Sequence, residues 1–148
     1  MLLHFAYGSN MDRALMRAHC PSARPLGLAT LAGHRFVIAR CGYASVQPCA
    51  GGLVHGVLWR LTSRDVDALD RYESVRTGLY DRAMLRVHAG AGQMPALIYV
   101  AGACAPGRPR PGYLELVTDA AQAWRLPARY IDSLRRWSRG TGERREVA

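Results

Sequence analysis

The sequence predicts an α+β domain built on a mixed or antiparallel sheet. Three observations indicate this class: an apolar strand runs into a polar loop and a helix, glycine-separated strand patterns fill the middle of the chain, and helical spacing returns after residue 112. Apolar residues that alternate or run together over a few positions favour strands, whereas a spacing of three and four favours helices. We therefore expect one sheet with helices packed around it.

The N-terminal segment contains the clearest junction between two elements. Residues 2–7 have the pattern of a short buried strand, residues 8–10 form a Gly-Ser-Asn loop, and residues 11–19 have helical spacing. At such a junction, unpaired backbone N–H groups and the positive end of the helix dipole favour an anion. The loop is therefore a candidate binding site.

The middle of the chain contains six predicted strands and one helix. Strands are expected at residues 26–31, 35–39, 44–47, 53–61, 79–87 and 95–101. Gly33, Gly42 and the pair at 51–52 divide the first four, and a turn at 90–92 joins the last two. Between the two groups, a helix begins at Thr62 or Ser63, which supply a cap, and ends near Glu73.

The last third of the chain is predicted to be helical. Residues 104–112 are rich in proline, glycine and arginine and form a surface loop, after which helices cover 113–124 and 128–137. A chain of 148 residues suits one domain. We assign residues 1–137 to that domain and residues 138–148 to a flexible tail.

Composition excludes several classes of function. The net charge of +9 comes entirely from arginine, since the sequence contains no lysine, and the arginines are spread along the chain. No recognition helix, aromatic RNA-binding motif or zinc finger is present, so nucleic acid is not the expected partner. The four cysteines and five histidines lack metal-ligand spacing, and neither a metal, a cofactor nor a disulfide is predicted. Without a signal-peptide pattern or a long apolar run, a cytoplasmic protein is expected.

Glu73 is predicted at a position where burying an ionised carboxylate would destabilise the fold. It follows Leu69 by four residues and Val66 by seven, which places it on the buried stripe of the predicted helix. Burial and the negative end of the helix dipole both disfavour ionisation, so we expect a raised pKa. A carboxyl of this kind is effective as a general base and acid. The alternative is that Glu73 caps the helix end, is partly exposed, or pairs with Arg76 or Arg82.

An ordered set of short motifs resembles the gamma-glutamylcyclotransferase family, which includes the AIG2-like proteins. The motifs match in order and in spacing and extend over nearly the whole chain to about residue 137. They are Tyr7-Gly8-Ser9-Asn10-Met11, Gly56-Val57-Leu58-Trp59, Leu69-Asp70-Arg71-Tyr72-Glu73, Thr77-Gly78-Leu79-Tyr80 and Pro109-Arg110-Pro111-Gly112-Tyr113.

The resemblance implies a fold, a reaction and a set of site residues. The implied fold is a small, strongly curved mixed sheet or barrel surrounded by helices. The implied reaction converts a gamma-glutamyl amine or amino acid into 5-oxoproline and releases the free amine, without a cofactor. Glu73 then matches the catalytic glutamate, and the substrate-binding residues are Tyr7, Gly8, Ser9, Asn10, Tyr80 and Tyr113.

Each of these roles has a structural alternative. Ser9 is expected to be a cap or a hydrogen-bond partner rather than a nucleophile. Tyr7, Tyr80 and Tyr113 also suit core positions with a satisfied hydroxyl, and Trp59 is assigned to core packing. The whole protein is alternatively a non-catalytic small-molecule-binding or regulatory module on the same fold. The motifs leave the identity of the gamma-glutamyl compound and the oligomeric state open.

Ser74 departs from the family pattern. Many members have glycine directly after the catalytic glutamate, whereas this chain has serine. If the glycine has a positive φ, serine at that position requires a different backbone conformation or a strained one. The departure puts the local geometry beside Glu73 in question more than the identity of Glu73.

Overall fold

Five strands close into a mixed barrel in the computed structural model, which describes residues 2–102 and 106–139. The order around the barrel is β1-β3-β2-β4-β5, and the parallel pairing of β1 with β5 closes it. The other pairings are antiparallel. The expected α+β class with a curved mixed sheet is therefore confirmed. The strands are β1 (Leu2–Ala6), β2 (Arg24–Ile38), β3 (Ala44–Leu61), β4 (Tyr80–Ala89) and β5 (Gly92–Ala101).

The segment predicted as four strands forms two long ones, so the expected breaks at residues 33 and 51–52 are wrong. The pairing of β2 with β3 jumps from Ala32 opposite Leu53 to His34 opposite Pro48, which leaves residues 49–52 as a bulge opposite residue 33. Gly33 has a φ of 73°. Because glycine adopts this left-handed conformation freely, the strand bends there without leaving the ladder.

In the described part of the chain, four α-helices surround the barrel and lie close to their predicted positions. They are α1 (Arg13–His19), α2 (Ser63–Tyr72), α3 (Tyr113–Ala123) and α4 (Ala128–Arg135). The helix expected from residue 11 is divided: a 3₁₀ turn at Ser9–Met11 comes first, and α1 follows it. Asp12 begins α1 because its Oδ2 accepts the N–H of Leu15 at 2.9 Å.

The start of α2 confirms the predicted cap at Thr62. Its backbone N–H donates to Asp65 Oδ2 at 2.9 Å, and its Oγ1 accepts the N–H of Asp65 at 3.2 Å. This reciprocal pair satisfies two backbone N–H donors that a helix start otherwise leaves without a partner. These two hydrogen bonds fix where α2 begins. Glu73 lies at the opposite end of the same helix.

Apolar side chains fix the helices against the barrel. Leu69 of α2 and Leu134 of α4 are at most 1% exposed, as are Phe5 of β1 and Ile98 of β5. Burying a side chain of this size contributes about 1.5–3 kcal/mol. Trp59 is buried as predicted, and its ring meets that of Trp124 at the end of α3, 6.3 Å between centroids.

Some expectations concern residues at the margins of the described structure. Cys20, Cys41 and Cys49 are free thiols, and Cys104 lies outside the described residues. The described part of the predicted loop, residues 106–112, contains neither helix nor strand. Of the predicted tail, residues 138 and 139 end a short 3₁₀ helix and residues 140–148 lie outside the described residues. No described helix has the length and apolar character needed to cross a membrane.

Candidate active site

A cavity of about 230 Å³ lies where the loop after β1 meets the end of α2. Polar and aromatic side chains converge on it, which is the usual character of a small-molecule site. The structure brings all the sequence-predicted site residues to this one cavity. They are Tyr7, Gly8, Ser9, Asn10, Glu73, Tyr80 and Tyr113.

Glu73 occupies the C-cap position of α2, with its side chain partly buried against the cavity. Burial raises the pKa of Glu73 to about 7, the direction predicted from the sequence, and a hydrogen bond from Asn10 acts in the opposite direction. Arg82, one of the cations considered as a partner for Glu73, pairs instead with Asp70 at 3.5 Å. Among the described residues that line the cavity, Glu73 is the sole carboxylate.

Ser74 adopts the left-handed conformation that glycine favours, with a φ of 54°. Its N–H donates to the carbonyl of Arg71 at 3.1 Å, and the N–H of Val75 donates to that of Asp70 at 3.0 Å. This pair of hydrogen bonds is the Schellman motif that ends many helices. The serine thus keeps a positive φ at a conformational cost, and the end of α2 forms without glycine.

Asp70 ties the end of α2 to the barrel. The hydroxyl of Tyr99 on β5 donates to Asp70 Oδ1 at 2.7 Å, and Arg82 on β4 approaches Oδ2. Asp70 precedes Glu73 by three residues, so both lie within one turn. The two strands therefore hold the turn that carries Glu73.

The loop after β1 is held at several points. The hydroxyl of Tyr7 donates to the backbone carbonyl of Tyr99, and Trp124 Nε1 donates to the carbonyl of Met11 at 2.7 Å. Ser9 Oγ lies 3.1 Å from the hydroxyl of Tyr72. Ser9 is therefore a hydrogen-bond partner across the cavity.

Gly8 lets the loop approach α3 closely. A Cβ at this position would lie 2.9 Å from the hydroxyl oxygen of Tyr113 and 3.1 Å from Cβ of Ala44. The first distance is shorter than real Cβ contacts allow. Any larger residue therefore displaces Tyr113 or the loop.

The hydroxyl oxygen of Tyr113 accepts a backbone hydrogen from the N–H of Ala44 at 3.1 Å. Because this bond occupies an acceptor site of the oxygen, the hydrogen of the hydroxyl group itself remains available as a donor. The Tyr113 hydroxyl is therefore a candidate donor to a bound anion, beside the N–H groups of the loop to which the sequence assigned anion binding.

Tyr80 lines the cavity with its ring, while its hydroxyl donates to the backbone carbonyl of Ala44. Burial raises the pKa of Tyr80, Tyr99 and Tyr113 above the ordinary phenol value. All three are therefore neutral near pH 7. Their hydroxyl groups act as hydrogen-bond donors rather than as charged groups.

Asn10 connects the loop to Glu73. Its side chain is buried, and Nδ2 donates to Glu73 Oε1 at 3.3 Å. The same nitrogen lies 3.4 Å from Nε2 of His4. One amide group therefore contacts both β1 and the carboxyl at the end of α2.

Among the cavity residues that were not predicted from the sequence, four have titratable side chains: His4, Tyr43, Tyr72 and Tyr99. Tyr72 directly precedes Glu73, so its place in the same motif was an available signal. His4 was the one imidazole in a strand pattern at residues 2–7 that is otherwise apolar or aromatic. Tyr43, in the turn between β2 and β3, and Tyr99, on β5, reach the cavity through contacts between distant parts of the chain, which no local pattern indicates.

Known proteins resemble this chain in sequence and in fold. The gamma-glutamylcyclotransferase of Homo sapiens is 25% identical over 144 residues, covering 90% of this chain and 77% of that protein. The Mus musculus gamma-glutamylcyclotransferase is 26% identical over the same coverage. A solved structure of a gamma-glutamyl cyclotransferase superposes with a TM-score of 0.83 at 24% identity, covering 90% of this chain and 86% of that one.

A sequence profile places the chain in a family directly. The profile of the AIG2-like family matches residues 53–134, which include the second half of β3, Glu73, Tyr80 and Tyr113. The match covers more than half of the chain, and the barrel agrees with the superposed structure. The chain belongs to the AIG2-like family.

Proposed function

We propose that this protein is a gamma-glutamylcyclotransferase-type enzyme that converts a gamma-glutamyl amine or amino acid into 5-oxoproline and the free amine. The observation that carries the proposal is Glu73, a carboxyl with a pKa of about 7 at the edge of a polar cavity. The relatives named gamma-glutamylcyclotransferase support the same activity.

Glu73 is assigned both proton transfers. It takes a proton from the substrate's α-ammonium group, the freed amine attacks the γ-carbonyl carbon, and a new C–N bond closes the five-membered ring. The same carboxyl then protonates the departing nitrogen as the original amide bond breaks. No water is consumed. The ring nitrogen loses a second proton after the attack, and the released amine binds it to become an ammonium ion, so the two protons lost by the α-ammonium group match the two gained by the departing nitrogen.

The raised pKa of Glu73 fits the first of these transfers. An α-ammonium group has a pKa near 8 in an ordinary peptide. A carboxyl with a pKa of about 7 is closer to that value than an ordinary glutamate at 4.5. Each unit of mismatch corresponds to about 1.4 kcal/mol, so burial of Glu73 lowers the cost of proton transfer by roughly 3 kcal/mol.

The remaining cavity residues are assigned to holding the substrate. The Tyr113 hydroxyl is the candidate donor to the substrate carboxylate or to the oxyanion that forms during attack, where one preorganised donor contributes about 2.7–4 kcal/mol. Tyr7 and Tyr80 supply ring surface for the flexible γ-glutamyl chain. A substrate folded towards its ring-like product reacts faster because less freedom is lost in the transition state.

Three sequence-based expectations remain part of this proposal. The protein works without a cofactor, acts in the cytoplasm and has no nucleic-acid partner. A salt titration with duplex DNA tests the last point, since binding through phosphates weakens steeply as salt rises.

The direct test is incubation with a panel of γ-glutamyl amino acids and γ-glutamyl amines, with 5-oxoproline measured by mass spectrometry. We expect turnover of at least one compound and one equivalent of released amine. Binding of panel members without any product would support the alternative of a non-catalytic module. Release of free glutamate in place of 5-oxoproline would indicate attack by water and contradict the cyclisation.

A further inference from the structure

His4 lies on β1 in the wall of the cavity and is 2% exposed. Its Nδ1 is 2.9 Å from the backbone oxygen of Leu97 on β5. Because a carbonyl oxygen only accepts, Nδ1 must carry the hydrogen. Burial lowers the pKa of His4 to about 4, so near pH 7 the ring holds that one hydrogen alone. Its Nε2 is therefore a pure acceptor.

The acceptor Nε2 of His4 determines which way the side-chain amide of Asn10 is oriented. Asn10 Nδ2 is 3.4 Å from His4 Nε2 and 3.3 Å from Glu73 Oε1. An NH₂ group has two hydrogens and can donate to both acceptors. The reversed amide would instead place its oxygen against two acceptors, which is unfavourable.

The observed orientation of Asn10 has a cost that its two donors offset. Asn10 Oδ1 is buried and has no hydrogen-bond partner. A buried acceptor without a partner is destabilising. The surroundings of Oδ1 therefore do not explain why the amide has this orientation. The nitrogen side, with His4 and Glu73 as acceptors, accounts for the orientation.

We propose that His4 is a positioning residue whose imidazole, locked as the Nδ1–H tautomer by the Leu97 carbonyl, fixes the Asn10 amide so that its NH₂ group faces Glu73. The inference rests on the proposed function, in which Glu73 carries the reacting proton. His4 itself does not contact the reacting atoms. It acts through Asn10, which restricts the carboxylate and stabilises its ionised form.

The other ionisable groups around Glu73 do not replace this contact. Phenol groups reach it electrostatically from α2, β4, β5 and α3, and burial raises the pKa of each, so all are neutral near pH 7. They are Tyr72, Tyr80, Tyr99 and Tyr113. Loss of the His4 acceptor would therefore alter Glu73 through Asn10 and not through a change of charge nearby.

Two substitutions separate positioning from simple packing. His4→Leu fills much of the space but removes the acceptor, whereas His4→Gln keeps an acceptor at the end of a side chain of similar reach. His55→Leu is the matched control, because His55 is a partly buried histidine on β3 that packs against Tyr130 and does not line the cavity.

The first measurement needs no substrate. The pKa of the Glu73 carboxyl is followed by ¹³C NMR in the folded native protein and in the three variants. Since the Asn10 hydrogen bond lowers the pKa of Glu73, we expect a higher value in His4→Leu, a value near native in His4→Gln and no change in His55→Leu. A Glu73 pKa in His4→Leu equal to that of the control would overturn the proposal.

The second measurement is turnover of the best γ-glutamyl compound. We expect kcat of His4→Leu to fall about tenfold, which is part of the rate enhancement that a general base contributes. KM should change less than kcat. The acidic limb of the kcat profile should move to higher pH. Partial recovery in His4→Gln supports positioning. Equal losses in both variants with an unmoved pH profile would show that His4 only packs.

The two measurements also separate this inference from the proposed function. A native protein that makes no 5-oxoproline contradicts the function, while the NMR comparison still decides whether His4 controls Glu73. If His4→Leu does not fold, ¹⁵N NMR of the native imidazole gives the answer instead. The Nδ1–H tautomer at pH 7 supports the proposal, and the Nε2–H tautomer overturns it.

Discussion

Asn10 Nδ2 lies 3.3 Å from Glu73 Oε1, although the two residues are 63 positions apart in the chain. The contact joins the loop after β1 to the end of α2, the two segments that the sequence marked as separate candidate sites. It also opposes the effect of burial on Glu73, which otherwise favours the protonated form. The balance of these two effects sets the pKa of the proposed general base.

The first prediction concerns the pH dependence of turnover. Glu73 must be ionised to accept a proton, so kcat should rise to a maximum above its pKa of about 7 and fall tenfold per pH unit below it. It should fall again at the pH where the bound substrate has lost the α-ammonium proton that Glu73 passes to the departing nitrogen. A kcat profile between pH 5 and 9 measures this. Asn10→Ala removes a contact that lowers the pKa, so its acidic limb should lie at higher pH. A flat native profile down to pH 5 would exclude Glu73 as the base.

The second prediction concerns stability. The pKa of Glu73 is about 7 in the folded protein against an ordinary 4.5, so the folded state holds the proton more tightly. This contribution is fully present below about pH 4.5 and is lost as pH rises through 7, and it amounts to roughly 3 kcal/mol.

Glu73→Gln cannot ionise and should avoid that cost. Urea unfolding of both proteins at pH 4.5, 6 and 8 tests the difference. The variant should gain stability relative to the native chain as pH rises and remain ahead above pH 7. A stability difference independent of pH would contradict the raised pKa.

The third prediction concerns the serine that follows Glu73. Ser74 has a φ of 54°, and a side chain in this conformation costs about 1–2 kcal/mol. Glycine removes the strain but has more freedom when unfolded, so Ser74→Gly should stabilise the protein by about 0.5–1 kcal/mol. Thermal unfolding measures this.

Arg125 offers a matched control far from Glu73 in sequence. It has a φ of 60°, and its N–H and that of Leu126 form the same pair of hydrogen bonds at the end of α3. Arg125→Gly should be stabilising by a similar amount and leave turnover unchanged. If only the control is stabilised, Ser74 makes a compensating contact and the strain argument for it is wrong.

The fourth prediction concerns Gly8. A Cβ there would meet the Tyr113 hydroxyl at 2.9 Å, so Gly8→Ala should displace the proposed oxyanion donor. We expect a loss of kcat/KM of about 100-fold, because small displacements of positioned groups have effects of this size. Gly92→Ala, at a glycine with open space around it, is the control and should be active. Normal turnover by Gly8→Ala would remove Tyr113 from the site.

Local patterns were sufficient for the elements that carry the site. The Gly-Ser-Asn loop ends β1, the cap at Thr62 starts α2, and the spacing from Val66 drew attention to Glu73, which the structure places, partly buried, at the end of α2. Each signal lies within one element or at its boundary, where steric and hydrogen-bonding preferences act over a few residues. The motif order then linked the loop to Glu73.

The features that the sequence did not predict depend on contacts between distant parts of the chain. Gly33 has the features of a break, yet β2 continues through it because pairing with β3 holds both sides of the bulge. The proposed role of His4 depends on its contacts with Leu97 and Asn10. The closed barrel brings Leu97 to His4, and the loop brings Asn10 to it. Sequence spacing carries no information about such neighbours.

The central claim is that Glu73 transfers the proton during cyclisation. It is tested most directly by comparing native protein and Glu73→Gln, with 5-oxoproline measured by mass spectrometry and binding of the same γ-glutamyl compound measured by calorimetry. Glutamine keeps the size of the side chain and removes its basicity. We expect near-complete loss of product with binding largely kept. A Glu73→Gln variant that forms 5-oxoproline at the native rate would contradict the claim.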